Sequence, residues 1–252
     1  MYDILSMVKH MKIKIKDTTI NYIQYGKGKD IILLHGWGQN IEMMKILGDP
    51  LSEKYRITIL DFPGFGESDE PKTAWNIDDY SNMLEDFIKE LKIKKPIIMG
   101  HSFGGRVAIR YSANHSIEKL VLFGSPCIRL QKEQPLSVKI LKKLKTLPGM
   151  NNLGEYMKKY IGSRDYKAAS PIMRQTLVNT VNEDLSSYAS KIEEPTLLIW
   201  GDNDTEAPLE EAKMLEKLMI DAGLIVLPGT HYAYIENLAQ VINILNSFLG
   251  GK

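Results

Sequence analysis

The stretch that decides the fold is Pro96-Ile97-Ile98-Met99-Gly100-His101-Ser102-Phe103-Gly104-Gly105, in which an apolar strand leads into Gly-x-Ser-x-Gly and then into a helical pattern. Glycines on both sides of the serine permit a backbone that side chains there would block. A serine at such a sharp strand-to-helix turn is pushed out of the sheet, where a substrate can reach it. The stretch therefore predicts a nucleophile elbow with Ser102 as the nucleophile, in preference to a glycine-rich turn that carries an incidental serine.

Two later loops carry the groups that activate a serine. An apolar strand near Thr196 to Trp200 opens onto the acidic loop Gly201 to Pro208, and a strand near Leu224 to Leu227 ends shortly before His231. A hydroxyl is a poor nucleophile until a base takes its proton, and imidazole can do this near neutral pH. Because parallel strands gather their functional loops along one edge of a sheet, we expect Ser102, an acid and His231 to converge.

Two earlier loops complete the pattern. His35-Gly36-Trp37-Gly38 follows the apolar strand Ile31 to Leu34, and Asp61-Phe62-Pro63-Gly64-Phe65-Gly66-Glu67-Ser68 follows the strand Arg56 to Leu60. Together with the elbow at Gly100 to Gly105, these signals in this order resemble the α/β-hydrolase superfamily over nearly the whole chain. The resemblance implies an α/β fold with a mostly parallel eight-stranded sheet, helices on both faces, and a helical cap inserted after strand 6.

The resemblance also implies a triad in the chain order serine, acid, histidine. Of the five histidines, His231 is the one that follows the acidic loop. Within that loop Asp204 matches the superfamily pattern Gly-x-x-Asp-x-x-x-Pro, whereas Asp202 and Glu206 do not and are interpreted as loop or helix-capping residues. The loop after the preceding strand, Gly124 to Cys127, holds no carboxylate. The predicted catalytic residues are therefore Ser102, Asp204 and His231.

A tetrahedral oxyanion needs preorganised hydrogen-bond donors. The backbone N–H of Phe103, directly after the nucleophile, supplies one of them. By the resemblance, the backbone N–H of Trp37 supplies the second. Asp61 is interpreted as a structural residue, because an aspartate in a proline- and glycine-rich loop usually hydrogen-bonds nearby backbone.

Three further residues are candidates for substrate binding: His101, Arg106 and Met157. His101 precedes the nucleophile and should project to the other side of the turn. Arg106 is typical of a scaffold ion pair or a helix surface. In the menaquinone-pathway synthase branch, which this chain resembles at that position, an arginine contacts an anionic substrate. That branch tends to carry tyrosine in place of His101. Met157 would line an adaptable apolar pocket or belong to plain core.

Strands and helices alternate along most of the chain, which indicates a parallel sheet covered on both faces. An antiparallel pair, Met11 to Lys16 and Ile20 to Tyr25, opens the sheet. Further strands are predicted near Ile31 to Leu34, Ile57 to Leu60, Ile97 to Met99, Leu120 to Phe123, Thr196 to Trp200 and Leu224 to Leu227. Helices are predicted near Ile41 to Lys54, Ile77 to Leu91, Phe103 to Asn114, Leu209 to Leu218 and Leu238 to Phe248.

One segment breaks the alternation. Residues 128–191 show helical periodicity without a strand, over Leu136 to Leu147, Glu155 to Tyr160 and Ser170 to Val181. The resemblance makes this segment a cap, or lid, within a single domain that spans residues 1–252. A cap excludes water and decides what fits. Its first half is basic, which is typical of a solvated helix face but would also suit an anionic substrate or an acidic membrane surface.

The composition is that of an ordinary globular protein. The 252 residues are 44% hydrophobic and 25% charged, and the net charge of +1 gives no reason to expect nucleic-acid binding. The single Cys127 excludes an internal disulfide and any zinc-type cysteine spacing. No apolar run reaches membrane-spanning length, and Met1 to His10 lacks signal-peptide features. We expect a cytoplasmic monomer or homodimer without stable membrane insertion, metal or organic cofactor.

These observations predict a serine hydrolase that cleaves carboxylic esters or thioesters of small to medium acyl groups through an acyl-enzyme on Ser102. The sequence does not identify the natural small-molecule substrate, because the predicted cap that would select it carries no motif. Three alternatives stay open on the same scaffold. They are a C–C bond hydrolase, a lyase similar to the menaquinone-pathway synthases, and a small-molecule receptor without turnover.

Overall fold

A single eight-stranded sheet forms the centre of the protein in the computed structural model, which describes residues 8–128 and 169–250. Its strands are β1 (Met11–Ile15), β2 (Thr18–Gly26), β3 (Lys29–Leu34), β4 (Tyr55–Leu60), β5 (Ile97–His101), β6 (Lys119–Phe123), β7 (Thr196–Gly201) and β8 (Ala222–Leu227). They lie in the order β1-β2-β4-β3-β5-β6-β7-β8. The β1/β2 pair is antiparallel and the sheet is mostly parallel, as predicted, and β2 also pairs antiparallel with β4.

Helices connect the strands. They are α1 (Ile41–Leu51), α2 (Ile77–Glu90), α3 (Phe103–Ser112), α4 (Pro171–Asn182), α5 (Ser186–Ala189), α6 (Leu209–Leu218), α7 (Ala233–Glu236) and α8 (Leu238–Gly250). Polar caps fix several starts: Asn76 forms a capping box with Asp79 at α2, and the Ser170 hydroxyl accepts the Met173 N–H at α4. The helix predicted to reach Lys54 ends at Leu51, because the Ser52 N–H and hydroxyl bind the last free carbonyls.

Both faces of the sheet are buried. Along β3, Ile32 and Leu34 pack into a core that includes α2 and α3, whereas Ile31 and Leu33 pack into a second core that includes α1 and α8. Successive side chains of a strand point to opposite faces, so a strand covered on both sides must be apolar throughout. This explains why the parallel strands read as continuous apolar runs and why the loops at their ends carry the polar groups.

The predicted cap is described only at its C-terminal end. Residues 129–168, with the expected helices Leu136 to Leu147 and Glu155 to Tyr160, lie outside the described residues. The helix expected over Ser170 to Val181 is present as α4. It packs on the body of the protein: Met173 is buried against Gly64, and the Thr176 hydroxyl accepts the Trp75 N–H at 3.0 Å.

A buried arginine ties α4 to the sheet. The Arg106 guanidinium donates to the carbonyl of Pro126 (2.6 Å) on one side and to those of Thr180 (2.8 Å) and Glu183 (2.5 Å) on the other. Its side chain is buried, and burial lowers the pKa of the guanidinium. The expectation of a surface residue or scaffold ion pair is therefore corrected, since all three of these bonds go to backbone oxygens.

Asp61 has the structural role that the sequence indicates. Its carboxylate accepts the backbone N–H groups of Ile41 (2.8 Å) and Glu67 (2.9 Å) and the side-chain amide of Asn21 (2.7 Å). A buried carboxylate is stable only when such donors satisfy it. Asp61 thereby joins its own loop, the start of α1 and strand β2 beside the site.

Candidate active site

Ser102 occupies a strained turn between β5 and α3. Its backbone has φ 50° and ψ −113°, a region that residues with a side chain rarely adopt. The Ser102 N–H donates to the Phe123 carbonyl at 2.9 Å, which ties the turn to the end of β6. Strain of this kind persists only where the surroundings impose it, and it collects at functional sites. The structure thus gives Ser102 the backbone geometry of a nucleophile elbow.

The elbow lies directly against the end of β3. A Cβ atom at Gly104 would be 2.3 Å from the Leu34 carbonyl oxygen, so only glycine permits this approach. The rings of Trp37 and Phe103 meet edge to face, with centroids 5.4 Å apart. The two segments whose backbone N–H groups are predicted to bind the oxyanion are therefore in contact.

His35 holds the loop that contains Trp37. The Phe62 N–H donates to His35 Nε2 at 3.0 Å, so the ring proton is on Nδ1, which donates to the Gly36 carbonyl at 2.7 Å. Burial lowers the pKa of His35 to about 4. The ring is neutral at physiological pH and fixes the loop rather than taking part in proton transfer.

Asp204 and His231 form a buried acid–imidazole pair. Asp204 Oδ2 lies 2.8 Å from His231 Nδ1, and the exposed side-chain fractions are 0% and 5%. The other carboxylate oxygen accepts the N–H groups of Glu206 (2.9 Å) and Ala207 (2.8 Å). Because Nδ1 donates to the carboxylate, Nε2 carries the lone pair and is free to act as a base.

Gly124 shows how this pair reaches the nucleophile. It follows β6, and a Cβ atom at this residue would be 3.1 Å from both Asp204 Oδ2 and His231 Nδ1. The residue before it, Phe123, accepts the Ser102 N–H. The structure therefore brings the elbow serine, the aspartate and the histidine to the same edge of the sheet, around the end of β6.

His101 lies behind this arrangement rather than in an open pocket. It is 1% exposed, its Nε2 is 3.1 Å from the His231 carbonyl oxygen, and its Nδ1 is 3.2 Å from Gln39 Oε1. Burial, with repulsion from the neighbouring His231, lowers the pKa of His101 to about 3. Both neighbouring atoms are acceptor oxygens, and a neutral imidazole carries a single N–H, so the ring donates to one of them. In either tautomer His101 lies between Gln39 and the loop that carries His231.

The other two candidates for substrate contact are Arg106, which the structure describes, and Met157, which it does not. The Arg106 guanidinium binds backbone carbonyls after β6 and at the end of α4, which accounts for its burial without an anionic substrate. Met157 lies outside the described residues. We therefore carry neither residue into the proposed site.

Three residues near the site were not singled out from the sequence. Gly124 has a positive φ of 48°. Its position directly after a predicted strand is the sequence signal that indicates a place at the edge of the sheet. Gln39 accepts the Gly36 N–H at 2.9 Å and so orders the oxyanion loop. Glu206, interpreted as a loop or capping residue, has Oε2 3.7 Å from His231 Nε2. Neither contact has a sequence signal, because both join segments far apart in the chain.

Among residues 8–128 and 169–250, no group of three or more histidine, cysteine or carboxylate side chains is arranged to hold a metal ion. Within the same ranges, no helix combines the length and the apolar character needed to cross a bilayer. Cys127 is buried and unpaired, and burial raises the pKa of its thiol to about 12. These features add no second cluster of reactive groups in the described part of the chain.

A mostly parallel sheet with a strained serine after its fifth strand, and an acid–imidazole pair at the same edge, defines an α/β protein of the hydrolase class. Residues 30–145 match the family model described as the alpha/beta hydrolase fold. This match supports membership of the α/β-hydrolase superfamily, which the sequence motifs predict.

Several known proteins are similar over most of their length. The 2-hydroxy-6-oxo-6-(2'-aminophenyl)hexa-2,4-dienoic acid hydrolase of Metapseudomonas resinovorans is 28% identical, over 92% of this chain and 87% of its own. The pimeloyl-[acyl-carrier protein] methyl ester esterase of Aliivibrio fischeri is 24% identical, over 92% and 98%. The crystal structure of a serine hydrolase involved in carbazole degradation, the CarC enzyme, matches with a TM-score of 0.76 at 25% identity, over 97% and 99%.

Proposed function

We propose that the protein is a serine hydrolase of carboxylic esters or thioesters with small to medium acyl groups. The observation that carries the proposal is the 2.8 Å Asp204–His231 pair, packed against Gly124 beside the strained Ser102 turn. Membership of the superfamily supports a hydrolase, and relatives within it include esterases. What we propose beyond this is the specificity for ester bonds and the catalytic roles of Ser102, Asp204 and His231.

The residues divide the chemistry as follows. His231 Nε2 takes the proton of the Ser102 hydroxyl while Oγ attacks the substrate carbonyl carbon, and Asp204 stabilises the imidazolium that forms. The backbone N–H groups of Phe103 and Trp37 stabilise the tetrahedral oxyanion. Collapse of this intermediate expels the alcohol or thiol, which receives the proton from His231. A water molecule, activated by the same imidazole, then releases the acid from the acyl-enzyme.

A fluorophosphonate probe tests the nucleophile directly. We expect the wild-type protein to be labelled on Ser102, and Ser102→Ala to be unlabelled and to lose on the order of 10⁴-fold or more in kcat on aryl esters. Ser125→Ala is the matched control, because this buried serine binds backbone carbonyls and has no proposed role. Substantial ester turnover by a correctly folded Ser102→Ala would disprove the mechanism. A wild-type protein that is neither labelled nor active would favour a receptor.

A C–C bond hydrolase is the second candidate, and the relative from Metapseudomonas resinovorans favours it. The same serine, imidazole and oxyanion donors serve both reactions, so geometry at the triad does not separate them. A panel of aryl esters of rising chain length, assayed beside a 2-hydroxy-6-oxo-dienoic acid, separates the two. We expect kcat/KM to be higher for the esters, and a reversed order would replace the proposed substrate class while leaving the triad in place.

A further inference from the structure

Glu206 places a second carboxylate beside the catalytic imidazole. Its Oε2 lies 3.7 Å from His231 Nε2, on the opposite side of the ring from Asp204. Its side chain is 65% exposed, whereas those of Asp204 and His231 are 0% and 5% exposed. The two carboxylates therefore lie in different environments, because Asp204 is buried and Glu206 faces solvent.

The position of Glu206 is fixed by the triad acid itself. The Glu206 N–H donates to Asp204 Oδ1 at 2.9 Å, two residues along the same loop. A change at Glu206 that keeps its backbone thus leaves the Asp204–His231 hydrogen bond in place. This makes the Glu206 carboxylate separable from the proposed catalytic residues by substitution.

The nitrogen beside Glu206 is the one that must exchange a proton with the leaving group. In the proposed reaction, Nε2 delivers its proton to the departing oxygen or sulfur, which must therefore come within hydrogen-bond reach of that atom. A charged substituent on the leaving group then lies only a few ångströms from Glu206. At about 6 Å and an effective dielectric constant of roughly 40, the interaction between the Glu206 carboxylate and one unit charge on the leaving group changes the rate by about tenfold.

Other groups around His231 do not supply this charge. His101 is neutral and buried, with its ring centroid 4.8 Å from that of His231. The ring of Tyr232 lies 5.7 Å away and Asp204 is bound to Nδ1. In the described part of the chain, Glu206 is the residue whose carboxylate lies within 4.0 Å of Nε2, at 3.7 Å.

From this placement we propose that Glu206 selects substrates by the charge of the leaving group, favouring neutral or cationic groups over anionic ones. The proposal rests on the ester-hydrolase function proposed above and adds a specificity residue to it. The residue acts through charge alone and forms no covalent bond.

The test compares Glu206→Gln with the wild-type protein on three esters of one short acyl group. Their leaving groups are choline, its uncharged isostere 3,3-dimethylbutanol, and 2-hydroxyethanesulfonate. We expect Glu206→Gln to lower kcat/KM for the choline ester and to raise it for the sulfonate ester by about tenfold each, so that their ratio falls by about 100-fold, with the neutral ester changed less than threefold. High salt should reduce the same ratio in the wild-type protein, because exposed charges are screened.

Glu210→Gln is the matched control, because it removes the same charge from an exposed residue in α6. It should keep the wild-type ratio. An unchanged ratio in Glu206→Gln, or an equal change in both variants, would overturn the charge-selection proposal while wild-type ester turnover upholds the function. If the wild-type protein hydrolyses none of the three esters and is not labelled by a fluorophosphonate, the ester-hydrolase function fails and the role of Glu206 fails with it.

Discussion

The two sides of the candidate active site are held together by different kinds of interaction. On the nucleophile side, the ends of β3 and β5 meet through backbone and aromatic rings, with Trp37 and Phe65 packed on Phe103. On the histidine side, the loops after β7 and β8 are held by carboxylates. Asp202 binds the Gly229 N–H, Asp204 binds His231, and Glu236 binds Thr230. Packing holds the nucleophile side and carboxylate hydrogen bonds hold the histidine side. Substitutions on the two sides should therefore affect activity in different ways.

The largest effect should come from removing charge on the histidine side. Asp204→Asn keeps the size of the side chain but presents a neutral amide to Nδ1, so the imidazole loses its favoured tautomer and the imidazolium its counter-charge. We expect kcat on aryl esters to fall by on the order of 10⁴-fold, with KM nearly unchanged. Steady-state kinetics at neutral pH measures this.

Asp202→Asn provides the comparison for this prediction. Asp202 lies in the same loop but binds backbone at Gly229 and the side chain of Asn203, not the imidazole. It should retain kcat within a few-fold of the wild-type value. Equal losses in the two variants would show that the loop, and not the carboxylate at Nδ1, carries the effect.

A smaller effect is expected where the two sides meet, at Gly124. An added methyl group in Gly124→Ala would come within 3.1 Å of both members of the Asp204–His231 pair, and the φ of 48° disfavours any side chain. We expect kcat to fall by about 100-fold, because a misplacement of less than 1 Å is enough to disturb proton transfer. The same change at Gly223, where nothing lies within 4 Å, should leave kcat unchanged. Full activity of Gly124→Ala would show that the pair can shift without cost.

The smallest effect concerns the nucleophile side and appears as a pH dependence of stability. Burial lowers the pKa of His101 to about 3, so the unfolded chain takes up a proton that the folded protein refuses. The contribution of the neutral, buried His101 to the free energy of unfolding is fully present above the pKa of about 6.5 that histidine has in the unfolded chain. It is lost as the pH falls toward 3. Between pH 7 and pH 5, His101→Gln should therefore lose about 2 kcal/mol less free energy of unfolding than the wild-type protein. Urea denaturation at both pH values measures this, and parallel losses would contradict the prediction.

The sequence predicts the scaffold well because its physical causes are local. Continuous apolar runs identify the parallel strands, since β3 and its neighbours are buried on both faces. The elbow motif locates the turn at Ser102. The short helices α5 and α7 were not predicted, because each has only four residues and too little periodicity to be recognised.

The site is less predictable where it depends on segments distant in the chain. The roles of Gln39 and Glu206 come from contacts with loops that only the folded sheet brings close. Arg106 illustrates the same point, because its helical position says nothing about carbonyls that arrive from β6 and α4. The residues that form the Asp204–His231 pair were predicted through motif order, and their distance was not.

The bonds of Arg106 bear on which positions near α4 can change in sequence. One guanidinium binds the chain on both sides of the segment predicted to be a cap, at Pro126 after β6 and at Thr180 and Glu183 at the end of α4. All three acceptors are backbone oxygens, so the bonds do not depend on the side chains at those positions. The link between the end of β6 and the end of α4 can therefore persist while the side chains at its acceptor positions change.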